Sequence, residues 1–124
     1  MISMQDLESY CLAKQGAEKT FPFGVNVVVI KVMGKMFALW GVDDNPVEVN
    51  LKCDPDWSLL LRDTYPAIVA GFHMNKKNWN TLTLNGSIPP DLIWELVDHS
   101  YNLVVKGLRK KDREKLQAMG QTSK

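Results

Sequence analysis

At 124 residues, the chain is long enough for one domain with an ordinary hydrophobic core, without a metal or disulfide to hold it together. A hydrophobic content of 45% with 23% charged residues excludes wholesale disorder, and no apolar run approaches the roughly 20 residues of a membrane helix. The net charge of +1 excludes a protein that binds nucleic acid over its whole surface.

The first predicted element is a helix that begins after Ser3. The stretch Ser3-Met-Gln-Asp6 is a variant of the capping box, in which Asp replaces the usual Glu or Gln. The inner face of this helix carries Leu7 and Cys11, and Gly16 is a natural stop.

Three strands follow in the prediction. Val25–Val32 is rich in β-branched residues, a tight turn at residues 33–35 leads into Met36–Trp40, and residues 47–52 alternate between apolar and polar side chains. Short connections of this kind favour an antiparallel sheet.

Asp54-Pro55 predicts the start of a second helix, with an N-cap followed by proline at the first helical position. We expect Arg62, near the end of this helix, to complement the helix dipole. The residues expected on its inner face are Trp57, Leu60, Leu61 and Thr64.

Two further strands are predicted at Ala67–Phe72 and Thr81–Leu84, and Pro89-Pro90 begins the longest helix. Residues 109–119 predict one more short helix, whose apolar residues are too sparse to anchor it firmly. The predicted fold is therefore α+β, a two-layer α-β(3)-α-β(2)-α domain with an antiparallel sheet covered by helices on one face. We divide the chain into this domain, residues 1–109, and a basic C-terminal tail, residues 110–124.

Several short motifs in this order resemble the MmcQ/YjbR family, from the first helix to about Arg113. The motifs are Tyr10–Gly24, Val32–Ala38, Leu51–Pro55, Leu61-Arg62, His73–Lys76 with Trp79, and His99–Leu103. The resemblance implies the same two-layer fold. It also implies DNA binding, which is commonly ascribed to this family through the likeness of its sheet surface to a "double wing".

The sequence departs from the family pattern at four positions. Gln15 and Ala70 each stand for a proline before a glycine, Phe72 stands for a tyrosine, and Asn78 replaces a histidine that often precedes Trp79. A function of the family that needs the lost hydroxyl or imidazole is therefore absent from this chain.

The predicted nucleic-acid site centres on the polar loop between the last two strands. Lys76 and Lys77 are the expected phosphate contacts, helped by His73 and Asn75. Trp79 either stacks on an unpaired base or packs under the sheet. In the alternative interpretation, His73 and Asn75 bind the loop's own backbone and the lysines are only solvated.

Cations elsewhere are possible auxiliaries to this site. Lys31 and Lys35 flank the first hairpin turn and Lys52 ends the third strand, where lysines also protect strand edges from pairing. Residues 1–70 hold six basic and nine acidic side chains, whereas residues 71–124 hold nine and five. The tail cations are Arg109, Lys110, Lys111, Arg113 and Lys115. Asp112 and Glu114 partly balance them, which favours a solvated helix face over a dedicated nucleic-acid arm.

Catalysis is not predicted. His73 and His99 lie in different elements without an evident carboxylate partner, and no phosphate loop, nucleophile elbow or zinc-ligand spacing occurs. We predict no cofactor and no metal. The distant Cys11 and Cys53 are expected to be free, mostly buried thiols of a cytoplasmic protein, since no secretory signal precedes them.

A rival hypothesis is a protein-interaction module or a homodimeric domain that resembles secretion-chaperone-like folds, with no nucleic-acid role. Its contact surface would be an exposed apolar patch made of Phe21, Phe23, Trp40 and Phe72. A third hypothesis is a small-molecule pocket near His73. The oligomeric state, monomer or homodimer, is left open.

Overall fold

The computed structural model describes residues 2–71 and 74–122, and in them six strands form one antiparallel sheet. The elements are α1 (Met4–Leu12), β1 (Ala17–Thr20), β2 (Val27–Val32), β3 (Lys35–Gly41), β4 (Glu48–Lys52), α2 (Pro55–Thr64), β5 (Ile68–Ala70), β6 (Trp79–Thr83), α3 (Pro90–Lys106) and α4 (Lys110–Thr122). The strand order is β1-β2-β3-β4-β6-β5. The predicted α+β class is confirmed.

The helices cover one face of the sheet because the strands alternate. Val28 and Ile30 of β2 are buried against the helical layer, together with Trp40 of β3. Leu7 of α1 and Val97 of α3 are fully buried in the same core. The opposite face, which we call the open face, has its own small cluster of Val29, Leu39 and Trp79. The open face therefore carries a small hydrophobic cluster that is separate from the main core.

The local signals at the helix starts act as predicted. The Ser3 hydroxyl accepts the Asp6 N–H at 3.0 Å and the Asp6 carboxylate accepts the Ser3 N–H at 3.1 Å, which completes the capping box. The Asp54 carboxylate accepts the Trp57 N–H at 3.1 Å and starts α2.

One strand was not predicted. β1 pairs with β2 along the edge of the sheet, so that Glu18 lies opposite Lys31 and Thr20 opposite Val29. Its four residues include the exposed, charged Glu18 and Lys19. A short edge strand lacks the apolar alternation that identifies strands in a sequence, because little of it is buried.

Two expected orientations are wrong. Leu60 is 62% exposed and Thr64 is also exposed, since α2 touches the sheet only through a narrow stripe that includes Ser58 and Leu61. Trp40 is 1% exposed, because its position in β3 faces the helices, so it cannot belong to a surface patch.

The final helix is anchored more firmly than its sparse apolar residues indicate. Leu108 and Leu116 are both buried. A Cβ atom on Gly16 would lie 2.5 Å from Leu116 Cδ1, so the absence of a side chain at Gly16 lets α4 approach closely. The side-chain amide of Gln15 donates to the Leu116 carbonyl. Leu116 thus packs α4 against the domain.

No helix in the described residues combines the length and apolar composition needed to cross a membrane.

Candidate nucleic-acid interface

Three of the predicted lysines lie at the same end of the sheet. Lys31 of β2 lies opposite Met36 of β3, and Lys52 of β4 lies opposite Trp79 of β6. Lys35 and Lys52 line the same surface depression, of about 330 Å³. Residues that are distant in the chain are therefore neighbours here.

Lys76 and Lys77 join this end through the loop that precedes β6. The Asn78 carbonyl accepts the Cys53 N–H at 2.8 Å, which continues the pairing of β4 and β6 beyond Lys52 and Trp79. The side chains of Lys76 and Lys77 are exposed on this loop. We call the five lysines, Lys31, Lys35, Lys52, Lys76 and Lys77, the basic end.

The lysines of the basic end differ from Lys14 and Lys19, which form ion pairs. Lys14 pairs with Asp98, and Lys19 pairs with Glu8 at 2.8 Å. Among the residues that the structure describes, no lysine of the basic end forms an ion pair. No described carboxylate therefore forms an ion pair with these ammonium groups, although Glu18 of β1 lies opposite Lys31 in the sheet.

The structure assigns a role to two of the three residues that were predicted to assist Lys76 and Lys77 in binding nucleic acid. The Asn75 side chain accepts the Lys77 N–H at 3.0 Å, which is the alternative role of shaping the loop's own backbone. Trp79 is 8% exposed and packs in the open-face cluster, beside Met74. Its ring is thus not free to stack on a base. His73 and Phe72 lie outside the described residues.

Arg62 holds the loop in place, a role that the sequence did not reveal. Its guanidinium donates to Asn80 Oδ1 at 2.7 Å, to the Lys76 carbonyl at 2.6 Å and to the Trp79 carbonyl at 3.3 Å. Arg62 therefore does more than complement the dipole of α2, which was its expected role. The contact spans 14 to 18 residues in sequence, so no local pattern reveals it.

Ser100 supports the basic end from the helical side. Ile30 pairs with Ala38 but Lys31 with Met36, so Phe37 is an extra residue that interrupts the register of β3. The buried Ser100 hydroxyl accepts the Lys52 N–H at 2.9 Å and donates to the Phe37 carbonyl at 2.5 Å. One side chain thus joins β3 and β4 beside the interruption.

The tail cations are partly engaged with their own surroundings. Arg109 pairs with Asp112 at 3.3 Å, and Arg113 donates to the Lys106 carbonyl at 3.1 Å. Lys110, Lys111 and Lys115 are exposed on α4. Gly107, three residues before α4, lines the same depression as Lys35 and Lys52. The junction of α3 and α4 therefore borders the basic end.

The described histidine and both cysteines are engaged in the fold. His99 Nε2 accepts the Asp54 N–H at 3.0 Å and its ring contacts Trp57, and burial lowers the pKa of His99. Cys11 and Cys53 are free and buried, as predicted, and burial raises the pKa of the Cys11 thiol to about 12. The described residues include no cluster of three or more side chains able to hold a metal ion.

The other end of the open face has the opposite character. A groove of about 500 Å³ lies there, and its described lining residues include two carboxylates but no cation. We call it the acidic groove. It is lined by Phe23, Val27, Leu39, Trp40, Gly41, Asp44, Glu48, Asn50, Met74 and Thr81.

Comparison with known proteins identifies the family. The YjbR family model matches residues 12–103. The Escherichia coli O157:H7 protein YbdF is 40% identical over 99 residues, which cover 80% of this chain and 81% of YbdF. The Escherichia coli K12 protein YjbR is 35% identical over 115 residues, which cover 93% of this chain and 98% of YjbR. Both relatives are described as uncharacterised proteins.

Two crystal structures share the fold. The Deinococcus radiodurans protein DR2400, described with the domain DUF419, has a TM-score of 0.88 and 39% identity over 94% of this chain and 89% of its own. A Pseudomonas syringae protein has a TM-score of 0.71 and 25% identity over 82% of this chain and 98% of its own. The family match over residues 12–103 and the extent of the match to YjbR lead to one conclusion: the chain belongs to the YjbR family.

Proposed function

We propose that this protein binds nucleic acid weakly, through phosphate contacts made by the basic end. The observation that carries the proposal is that Lys31, Lys35 and Lys52 lie at the same end of the sheet as the loop of the exposed Lys76 and Lys77. None of the five forms an ion pair with a described residue, although Glu18 lies opposite Lys31. Unpaired ammonium groups on one surface are what a phosphate backbone requires.

The surroundings of the lysines favour phosphate contacts over base reading. Trp79 is buried, so it offers no stacking platform, and the Asn75 side chain already accepts a backbone N–H. We therefore expect little base preference and no marked preference for single strands. Lysine provides a point charge without the planar fork that reads guanine edges.

The acidic groove limits the part of the protein surface that nucleic acid can cover. Glu48 and Lys52 are four residues apart in β4, or about 13 Å at the usual rise of a strand. A phosphate that approaches the lysines is attracted, whereas one over Glu48 and Asp44 is repelled. The nucleic acid therefore crosses only one end of the open face.

Salt-dependent binding tests this proposal. Fluorescence anisotropy with a labelled DNA duplex, between about 50 and 200 mM salt, should give a linear fall of log affinity with log salt concentration. Lys76→Ala with Lys77→Ala should weaken binding and reduce the slope by about one for each phosphate that is no longer neutralised. The matched control is Lys19→Ala, which removes a lysine already paired with Glu8 and should leave the slope unchanged.

Two results would contradict the proposal. One is affinity that does not depend on salt. The other is a Lys76→Ala, Lys77→Ala variant that binds as the wild type does, or no more weakly than the Lys19→Ala control.

We propose a binding role rather than a catalytic one, in the cytoplasm. The engaged His99 ring and the buried thiols of Cys11 and Cys53 support this role, because none of them is placed as an exposed acid, base or nucleophile. Two unoxidised cysteines are also usual in a reducing compartment.

Exposed apolar side chains favour the second candidate, a protein-interaction module. Phe21, Phe23 and Val25, in the loop between β1 and β2, are 45%, 63% and 79% exposed. Sedimentation separates the two functions: a tight dimer that dissociates in a Phe21→Ser, Phe23→Ser variant, without DNA binding, would favour the interaction module.

A further inference from the structure

The acidic groove is suited to a ligand of different chemistry from a phosphate. Its floor lies on the open face, where Leu39 of β3 is opposite Asn50 of β4, and Asn50 is opposite Thr81 of β6. Phe23 and Met74 line it from two separate loops. The volume of about 500 Å³ lies within the range of pockets that hold small organic molecules.

One side of the groove is apolar. Val27 and Leu39 provide aliphatic surface, while Phe23 and Met74 add an aromatic ring and a thioether. Gly41, opposite Val27, contributes no side chain, and a Cβ atom there would lie 2.6 Å from the Asp44 carboxylate. The absence of this Cβ leaves room for Asp44 beside the floor. A flat apolar body, such as an aromatic ring, matches this surface, since thioethers and rings pack well together.

The other side of the groove is polar and acidic. Asn50 Oδ1 accepts the Thr81 hydroxyl at 2.6 Å, and Asp44 Oδ2 accepts the N–H groups of Gly41 and Glu48 at 3.0 and 3.4 Å. The Glu48 side chain is exposed and forms no ion pair with a described residue. No cation among the described lining residues therefore neutralises the two carboxylates.

We propose that the acidic groove binds a small organic cation, a protonated amine attached to an aromatic or similar flat apolar group. The apolar group lies over Val27 and Leu39, between Phe23 and Met74. The ammonium group lies at the end formed by Asp44 and Glu48, where opposite charge attracts it. This site uses none of the lysines of the basic end, so it stands or fails independently of nucleic-acid binding.

Two probes of the same ring and opposite charge test the proposal. 2-Naphthylmethylamine and 2-naphthoate are titrated into the full chain, with intrinsic tryptophan fluorescence and amide NMR shifts as readouts. We expect saturable binding of the amine with a Kd about tenfold lower than that of the carboxylate. The shifted amides should include those of Leu39, Asn50 and Met74.

Three variants locate the site. Glu48→Gln should weaken amine binding about threefold and narrow the difference between the two probes. Val27→Phe should abolish binding of both, because the larger side chain fills the groove. The matched control is Glu18→Gln, which removes a carboxylate from β1 outside the groove and should leave amine binding unchanged. Thermal melts establish that each variant folds.

The proposal is overturned by any of four results. These are no saturable binding of the amine up to about 5 mM, equal affinity for the two probes, equal effects of Glu48→Gln and Glu18→Gln, and amine binding that persists in a folded Val27→Phe variant. It is also overturned if sedimentation shows a dimer that Val27→Phe dissociates, because a second copy would then occupy the groove.

Discussion

The two ends of the open face have opposite charge although one strand, β4, connects them. Glu48 lies in the acidic groove, Asn50 follows on the same face, and Lys52 lies at the basic end. The basic end collects lysines from β2, β3, β4 and the loop before β6, whereas the groove collects Asp44 and Glu48 from a turn and one strand start. An overall charge of +1 conceals this separation. The positions in which the strands place each charge are therefore a better guide to binding partners than the net charge is.

The largest effect should come from the side chain that joins β3 and β4 behind the basic end. Ser100→Ala removes the partner of the Lys52 N–H and of the Phe37 carbonyl. Leaving one buried and one partly buried backbone group unsatisfied should lower the free energy of unfolding by about 3 kcal/mol, measured by urea denaturation. Ser87→Ala, which removes an exposed hydroxyl bonded to Asn85, should cost no more than about 0.5 kcal/mol. Equal reductions in the two variants would show that Ser100 does not join the strands.

A smaller reduction should follow when the loop of Lys76 and Lys77 is released. Arg62→Lys keeps the charge but not the three guanidinium contacts, so the free energy of unfolding should fall by about 2 kcal/mol. DNA binding should weaken while amine binding in the acidic groove stays unchanged, which separates the two ends. Arg109→Lys, in the exposed pair with Asp112, should cost less than about 0.5 kcal/mol. DNA binding that is unaffected by Arg62→Lys would contradict this role.

Charge reversal should sharpen the contrast between the ends. Glu48→Lys extends the positive surface along β4, so DNA affinity should rise and the salt slope should steepen by about one, an effect of about 1 kcal/mol at moderate salt. Lys52→Glu should have the opposite effect, and anisotropy titrations measure both. An unchanged slope in both variants would mean that phosphates do not approach this strand.

The smallest effect concerns pH. Because burial lowers the pKa of His99 below its ordinary 6.5, the folded state binds its proton less readily than the unfolded state does. The carboxylates of Asp54 and Glu95 oppose this shift. The stabilisation by the neutral ring is thus complete above the unfolded pKa and is lost as pH falls through the folded pKa.

The Tm should therefore fall as pH is lowered from about 7 to about 5, as the neutral ring gains its proton. His99→Gln keeps an acceptor for the Asp54 N–H without this titration, so it should flatten that part of the profile. His73→Gln serves as the control, and a profile that flattens there instead of in His99→Gln would show that the effect does not come from His99.

The sequence alone determined the features that depend on neighbouring residues. The capping box at Ser3, the proline start of α2, the β-branched run of β2 and the alternation of β4 are local patterns, and the fold class follows from their order. The candidate lysines were also identified from the sequence, since charge is visible there. Their shared position at one end of the sheet was not predicted, because it depends on strand register.

Only the tertiary structure decided which side chains share a surface and which are already engaged. The pairing of β4 with β6 brings Lys52 to Trp79, 27 positions away in the chain. The contacts of Arg62 with Asn80 and of Ser100 with Lys52 span 18 and 48 positions. The edge strand β1 and the outward Leu60 escaped prediction because burial, which sets the apolar pattern, is itself decided by packing. The sequence shows which residues are charged. Which of them lie close together depends on the order and register of the hydrogen-bonded strands, and local sequence patterns do not contain that information.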